Sequence, residues 1–313
     1  MPGTSLDALA ARLRRELTGD VLFDAWSRGR YSTDASIYQI EPLGVVVPRT
    51  EQEAVRAAEL AAEAGVPILP RGGGTSQCGQ TVGAALVIDV SKHVNRLLEV
   101  DLHGATAWVE PGIVLDDLNS RLREHGLWYP VDVSTSAQAT IGGMAANNSC
   151  GARSLRYGNM VHNVLEVTTW LTSGETLTFG AVDDGAPHGT PRHRELVATV
   201  RGLYSREREE IEARVPKLQR RVAGYNLDLA SSGAFNVAQL LVGSEGTLGL
   251  FRKIKLKLAR LPAHKALGVV HFPTFYQAMD LTRHIVALGP AGVGLVDRKM
   301  VGVWRHIAAV AAP

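Results

Sequence analysis

Leu6, Leu9, Leu13 and Leu17 recur at helical spacing while Arg12, Arg14 and Arg15 fall largely off that stripe, which predicts an amphipathic helix over residues 6–17 that docks on a neighbour. Residues 20–38 are polar and without period, and predict no regular element. Leu43 to Val47 reads as a short buried strand ended by Pro48. Thr50 and Glu53 then read as a capping box, and residues 51–64 as an Ala-rich helix stopped by Gly65 and Pro67. With a strand at Val66 to Leu69 this is a βαβ unit, so its two strands should run parallel. A strand at Leu86 to Val90 follows, then a hairpin pairing 96–101 with 105–110. A helix carrying Val114, Leu115, Leu118 and Leu122 comes next and ends at Gly126.

Residues 130–158 predict a long polar loop. The β-rich run Val161 to Leu171 turns at Ser173-Gly174-Glu175 into Thr176 to Phe179. A loop over 180–193, with Asp183, Asp184, Gly185, Pro187 and Pro191, leads to a charged helix over 194–214 that turns Leu196, Val200, Leu203 and Tyr204 inward. Gly224-Tyr225-Asn226-Leu227 is a polar break. The glycine-rich run 241–249 feeds a strand with Leu250, Ile254, Leu256 and Leu258, whose Lys253, Lys255 and Lys257 mark a solvated face. Beyond Pro262 we expect a strand at Ala266 to Phe272, a helix capped by Thr274 and Gln277 and running to Leu288, a strand at Gly292 to Val296, and a helical stretch from Lys299 to Ala312. Two strands and a helix cannot bury their own face, so we expect the natural unit to continue or a partner to complete it.

With 313 residues, 45% apolar and 20% charged, the chain is globular and long enough for two domains. A net charge of +2 gives no basic field, so neither nucleic acid nor an anionic membrane is implied as partner. Cys78 and Cys150 form no metal or redox motif, which makes a reducing, cytoplasmic setting the default. No apolar run is long enough to cross a bilayer and no signal peptide is evident, so any membrane association is expected to be peripheral, at the inner face.

Chemistry concentrates in three glycine-rich stretches. Pro70-Arg71-Gly72-Gly73-Gly74-Thr75-Ser76 lies between two apolar strands, where backbone without Cβ atoms can approach a ligand and converge its N–H groups on an anion. Thr75 and Ser76 add hydroxyls, and Arg71 a cationic fork. A P-loop is excluded because Gln80 stands where its lysine belongs. A dinucleotide fingerprint is excluded because the third glycine is missing and no helix opens there. What remains is a loop whose own amides bind a diphosphate. The second stretch, Pro130 to Gly158, holds Thr140, Gly142, Gly143, Asn147, Asn148, Ser149, Gly151 and Arg156-Tyr157-Gly158, and its Asn and Ser side chains suit the hydrogen-bonding edge of a planar ring. The third is Gly243-Ser244-Glu245-Gly246-Thr247-Leu248-Gly249.

Together these motifs resemble the FAD-binding fold of the vanillyl-alcohol-oxidase or p-cresol methylhydroxylase (PCMH) type, over residues 38–262. Within it they resemble the D-2-hydroxyacid dehydrogenase branch that oxidises D-lactate, D-2-hydroxyglutarate or glycolate. The runs around Arg30 to Thr50 and Val215 to Leu229 are most similar to its large members, which carry an iron–sulfur part. The resemblance implies an α+β chain: an N-terminal helical extension over 1–36, a PCMH-type FAD-binding domain of two α/β subdomains over 37–262, and over 263–313 the start of a ferredoxin-like α+β cap, truncated. It implies that Pro70 to Ser76 hold the pyrophosphate, with Gly79 and Gln80 beside it. Pro130, Asp132, Thr140, Gly142, Gly143, Asn147, Ser149, Gly151 and the run Arg156 to Gly158 would lie along the ribityl chain and ring, and Glu245, Gly246 and Thr247 close to the FAD. Thr75-Ser76 stands where members with covalent flavin carry a histidine, so dissociable FAD is expected.

The implied reaction passes the α-hydrogen of a 2-hydroxy acid to flavin N5 as hydride while a base takes the hydroxyl proton. In relatives that base, the metal ligands and the carboxylate anchor lie in the cap. His103, His125, His162, His264 and His271 are scattered and read as structural or surface residues, so no catalytic base and no metal site is nominated. An inactive FAD-binding fragment, and an FAD-binding subunit whose electron acceptor or iron–sulfur partner sits on another chain, remain as alternatives. A flavoreductase of sugar nucleotides shares the fold but fits these motifs less well.

Overall fold

The computed structural model describes residues 3–182, 189–229 and 235–307. The first layer begins with α1 (Gly3–Glu16), whose Leu9 and Leu13, with Leu17 just beyond it, are buried as the leucine stripe requires. Residues 20–38, expected to be irregular, instead supply β1 (Asp20–Leu22) and α2 (Ala25–Arg30), the latter capped by Asp24, whose carboxylate accepts from the Ser27 N–H. Then come β2 (Gly44–Val47), α3 (Glu51–Glu63), β3 (Ile68–Arg71) and β4 (Leu86–Asp89). The sheet order is β1-β2-β4-β3. β2 and β3 are parallel as expected, but each pairs with β4, which lies between them, and β1 closes the edge antiparallel. Both faces of this sheet are covered. Val46, Leu86 and Ile88 meet Ala57, Leu60 and Ala61 of α3 together with the α1 leucines, while Val45, Val47 and Val87 meet Leu22, Tyr31 and Leu69. Burial on both sides is why these strands read as unbroken apolar runs.

Thr50 caps α3 through its hydroxyl, but the capping box does not close. The Glu53 carboxylate turns instead to the N–H groups of Thr18 and Arg49, tying the α1–β1 corner to the helix.

The second layer holds β5 (Leu97–Asp101), β6 (Thr106–Val109), α4 (Leu115–Arg123), β7 (Leu127–Trp128), α5 (Ile141–Asn147), α6 (Ser154–Tyr157), α7 (Met160–Asn163), β8 (Val164–Trp170), β9 (Thr176–Phe179), α8 (Pro191–Arg214), α9 (Ala238–Leu241), β10 (Leu250–Lys257) and β11 (Ala259–Arg260). Its main sheet, β5-β6-β10-β8-β9, is antiparallel throughout. On α8 the fully buried side chains are Val197 and Ile211, with the expected Leu196 and Val200 only partly covered. The residues Asp183, Asp184, Gly185 and Pro187 of the preceding loop lie outside the described residues.

The lysine face of β10 is less solvated than its alternation suggests. Lys255 pairs across the ladder with Glu166 at 2.7 Å, and Lys253 and Arg252 reach the buried Glu51 of α3 at 3.5 and 3.3 Å. These contacts, with Trp170 and Leu250 packed into the α1–α3 core, fasten the two layers together.

The expected strands at 266–272 and 292–296 do not form. A strand needs a ladder partner, and among the described residues none pairs with either segment. Leu267, Val269 and Val270 stay exposed around α10 (Phe275–Ala287) and α11 (Arg298–Trp304).

Candidate functional site

A cleft of about 410 Å³ opens between the layers. One wall is the loop after β3, residues 70–78 with Gln80 and Thr81. The other is α5 with its approach, and the floor is Gly249, Leu250 and Phe251 with Val90 and Pro111.

The glycines of the loop serve mainly the protein itself. A Cβ on Gly72 would stand 2.0 Å from Thr140 Oγ1, and one on Gly73 2.2 Å from the Gln138 carbonyl oxygen. Their missing side chains let the first glycine stretch lie against the second. Gly74 is left-handed, φ +64°, and covers the Arg71 guanidinium. The consequence for binding is in the amides: among the described residues, the backbone N–H groups of residues 72–77 donate to no acceptor. Six adjacent donors without a protein acceptor, on residues that line the cleft, are available to bind an anion.

Arg71 does not serve as the expected phosphate fork. Its Nη1 donates to the Tyr31 and Thr81 carbonyls at 3.1 and 2.9 Å and its Nη2 to the Thr33 carbonyl at 2.7 Å, with the guanidinium over the Tyr31 ring. Burial lowers its pKa, yet an arginine so placed stays charged. It clamps the loop from beneath. Tyr31 completes that clamp by donating its hydroxyl to Asp89 at 2.7 Å, and burial with that carboxylate pushes the phenol well above its ordinary value.

The second stretch is a loop only in part, interrupted by α5 and α6. Thr140 caps α5 by accepting the Gly143 N–H, and Ile141, Met144 and Ala145 give the helix a buried face. Asn148, expected beside a ligand edge, is fully buried and left-handed at φ +54°. Its Oδ1 accepts the Val161 N–H at 3.0 Å and its Nδ2 reaches Asn226, whose own amide donates to the Val242 carbonyl at 2.7 Å. It is a structural residue.

Asn147 faces the cleft and donates to Glu245 Oε1 at 2.8 Å, while Ser149 donates to Asn147 Oδ1 at 3.2 Å. Gln80 also reaches Glu245 Oε1, at 3.5 Å, and Ser76 donates to Gln80. One polar chain, Ser76–Gln80–Glu245–Asn147–Ser149, therefore joins all three glycine-rich stretches. Glu245 sits at its centre in a left-handed conformation, φ +52°. Partial desolvation raises its pKa although the residue is solvent-exposed, and the hydrogen bonds from Asn147 and Gln80 partly offset the rise.

Of the residues singled out in the sequence, Pro70 to Ser76, Gln80, Thr140, Gly142, Gly143, Asn147, Ser149, Glu245 and Gly246 line the cleft. Gly79, Pro130, Asp132, Gly151, Arg156, Tyr157, Gly158 and Thr247 do not. Asp132 accepts the Arg153 N–H and packs on Gly151. Tyr157 lies edge-on to Trp128, Gly158 ends α6, and Gly79 turns against the Tyr38 ring. Thr247 bonds Tyr225 and the Ser244 carbonyl. The wall residues Val133, Ser134, Thr135, Ala139, Met144, Cys150, Val222, Leu250 and Phe251 were not singled out, since isolated apolar or small residues carry no signal of their own.

His103, His125, His162, His264 and His271 are exposed, and the Nδ1 of His162 accepts the Asn159 N–H. No group of three or more metal-ligating side chains gathers among the described residues. No helix among them is long and apolar enough to cross a membrane.

Residues 42–180 match the family described as FAD binding domain. The chain is 33% identical over 305 residues to D-2-hydroxyglutarate dehydrogenase of Pseudomonas putida, a match covering 93% of this chain and 30% of that protein. It is 30% identical over 305 residues to glycolate oxidase subunit GlcD of Bacillus subtilis, covering 95% of this chain and 55% of that subunit. The chain thus spans about a third to a half of the length of these relatives. Among solved structures, alkyldihydroxyacetonephosphate synthase shares the fold, with a TM-score of 0.65 at 21% identity over 91% of this chain and 47% of that one.

Proposed function

Given that the chain belongs to the PCMH-type FAD binding family through residues 42–180, we propose that it is the FAD-binding portion of a flavin-dependent dehydrogenase acting on a D-2-hydroxy acid of the 2-hydroxyglutarate, lactate or glycolate type. The observation that carries this reading is the run of amides from Gly72 to Gln77 without a protein acceptor, on residues lining a cleft that the two other glycine-rich stretches complete. FAD, when bound, supplies the acceptor for the substrate's α-hydrogen as hydride.

The chain's own residues bind and orient. The amides of 72–77 would hold the diphosphate by hydrogen bonds and their dipoles, since Arg71 is committed to carbonyls. Thr140, Gly142 and Gly143 would open the α5 wall to close approach, while Met144, Val133, Val222, Leu250 and Phe251 would give the flavin an apolar surround. Asn147, Ser149, Glu245 and Gln80, linked to one another by hydrogen bonds, would give the cofactor a polar side of the cleft. The loop ends in Thr75-Ser76, so the flavin is dissociable. Reoxidation by an electron carrier on further polypeptide, of the iron–sulfur kind or another, completes the cycle. A cytoplasmic setting, which includes the inner membrane surface, agrees with two free cysteines.

The test is reconstitution of the folded chain with FAD, read by the flavin's visible band and by titration, followed by anaerobic mixing with D-2-hydroxyglutarate, D-lactate and glycolate. Saturable FAD binding is expected, and bleaching by one of the acids would identify the substrate. A folded chain that binds no FAD refutes the reading.

A further inference from the structure

Successive side chains of a strand point to opposite faces, yet in β10 the neighbours Arg252 and Lys253 reach the same carboxylate. Glu51, the first residue of α3, is buried; its Oε2 lies 3.3 Å from Arg252 Nε and its Oε1 3.5 Å from Lys253 Nζ. The ladder with β8 explains how. Phe251 pairs with Thr169 and Lys253 with Thr168, so Arg252 is an extra residue with no partner of its own on β8. Such a bulge bends the strand and re-aims its side chains. Leu250, before it, packs into the α1–α3 core of the first layer, while Phe251 and Ile254 pack into the core of the second.

The bulge follows directly on the cleft floor. Gly249, Leu250 and Phe251 line the cleft, and Arg252 is the next residue. Its Nη1 also donates to Thr176 Oγ1 of the edge strand β9 at 2.9 Å, so one guanidinium spans from α3 to the second sheet. Helix α3 in turn leads into β3 and the amide loop. The Glu51 carboxylate thus ties the element before the loop to the strand that carries the floor. With side-chain exposures of 7% for Glu51 and 19% for Arg252, water cannot replace either partner, and removing one leaves a buried charge uncompensated. The Arg56–Glu59 pair on the outer face of α3 is about one-third exposed and carries no such weight.

Resting on the functional reading above, we propose that Glu51 and Arg252 are positioning residues for the cofactor: their ion pair, acting through the bulge, sets the spacing between the cleft floor and the amides of 72–77, and with it the affinity for FAD. Neither side chain lines the cleft. A ligand that bridges two layers binds best when the layers already stand at the right spacing, because ordering them on binding costs affinity.

The test is a fluorescence titration of FAD on the whole chain at a temperature where every variant is folded, with visible circular dichroism of the bound flavin and thermal unfolding in parallel. It compares the parent with Glu51→Gln, Arg252→Gln and the double variant. Leu122→Ala, which truncates a fully buried side chain of α4 outside the cleft lining, is the stability control. Each single variant should raise the Kd for FAD about 2- to 30-fold, the span for altering a network that does not touch the ligand, and should change the dichroism of the flavin. The double variant should bind no more weakly than the weaker single, since the members of one ion pair do not act additively. Leu122→Ala should lower Tm and leave Kd and dichroism at parent values. Should Glu51→Gln fail to fold, Arg252→Gln, at the less buried partner, decides. Parent-like FAD affinity in the folded single variants overturns this inference alone, as do additive losses in the double variant or an equal loss in Leu122→Ala. A folded parent that binds no FAD overturns the functional reading with it.

Discussion

Replacing Gly73 by alanine tests the contact on which the cleft depends. The new methyl group would stand 2.2 Å from the Gln138 carbonyl oxygen, where real contacts stay above 3.0 Å, so the two loops must part by about 0.8 Å. The obstacle is main chain, which cannot rotate aside. Overpacking of this kind costs about 1–3 kcal/mol. The same displacement moves the amides of 72–77, and each charge-assisted bond lost to a diphosphate is worth about 1.5–3 kcal/mol. We therefore expect FAD affinity to fall about 10- to 100-fold, at about 1.4 kcal/mol per decade, with a lower Tm. Gly83→Ala is the matched control: in the same connection, its Cβ would meet only Leu69 Cδ2, at 3.6 Å, an ordinary contact. The assay is a fluorescence titration of FAD on each protein, with thermal unfolding in parallel. Parent-like FAD affinity and Tm in Gly73→Ala would refute the close approach of the two loops.

Arg71→Lys should weaken FAD binding nearly as much as Arg71→Ala, because a point charge cannot reach three carbonyls; recovery of affinity by lysine would indicate a phosphate contact instead. Asn148→Ala should cost about 2–4 kcal/mol in a urea denaturation, since it strands the Val161 N–H and the Asn226 amide in the core. Glu245, with its pKa raised in the fold, binds its proton more readily folded than unfolded. Its contribution therefore destabilises the fold as pH rises through the raised pKa, and stability returns as pH falls toward the ordinary value of 4.5. Glu245→Gln should flatten that part of the Tm–pH curve only slightly, because the residue is solvent-exposed; coincident curves would contradict a pKa raised by the fold.

The elements that could be read from the chain are those whose pattern is set by burial on the spot. The runs at Val45 to Val47 and Leu86 to Ile88 declared strands because both their faces are covered, and the leucine stripe of α1 declared its docking face. Helix α5 was hidden because Gly142 and Gly143, each about 1 kcal/mol unfavourable in a helix, mask the Ile141–Met144–Ala145 face. The three residues of β1 are too few to show a period. The strands expected near 266–272 and 292–296 carry the right residues, but strand formation depends on a partner that local sequence does not specify.

The same division holds at the site. Motif residues that line the cleft were visible as unusual glycine, serine and asparagine clusters. The true task of Arg71 was not, because its acceptors at Tyr31 and Thr33 lie about forty residues away and are main-chain atoms common to every residue. Nor was the reason for Gly72 and Gly73, which answer to Thr140 and Gln138 across the fold.

Hydrogen–deuterium exchange over residues 70–80, with and without saturating FAD, tests the diphosphate cradle most directly. We expect the amides of 72–77 to exchange rapidly in the free protein and at least about tenfold more slowly with FAD, as new hydrogen bonds demand. Saturation with FAD that leaves their exchange unchanged would contradict the assignment of this loop as the diphosphate site.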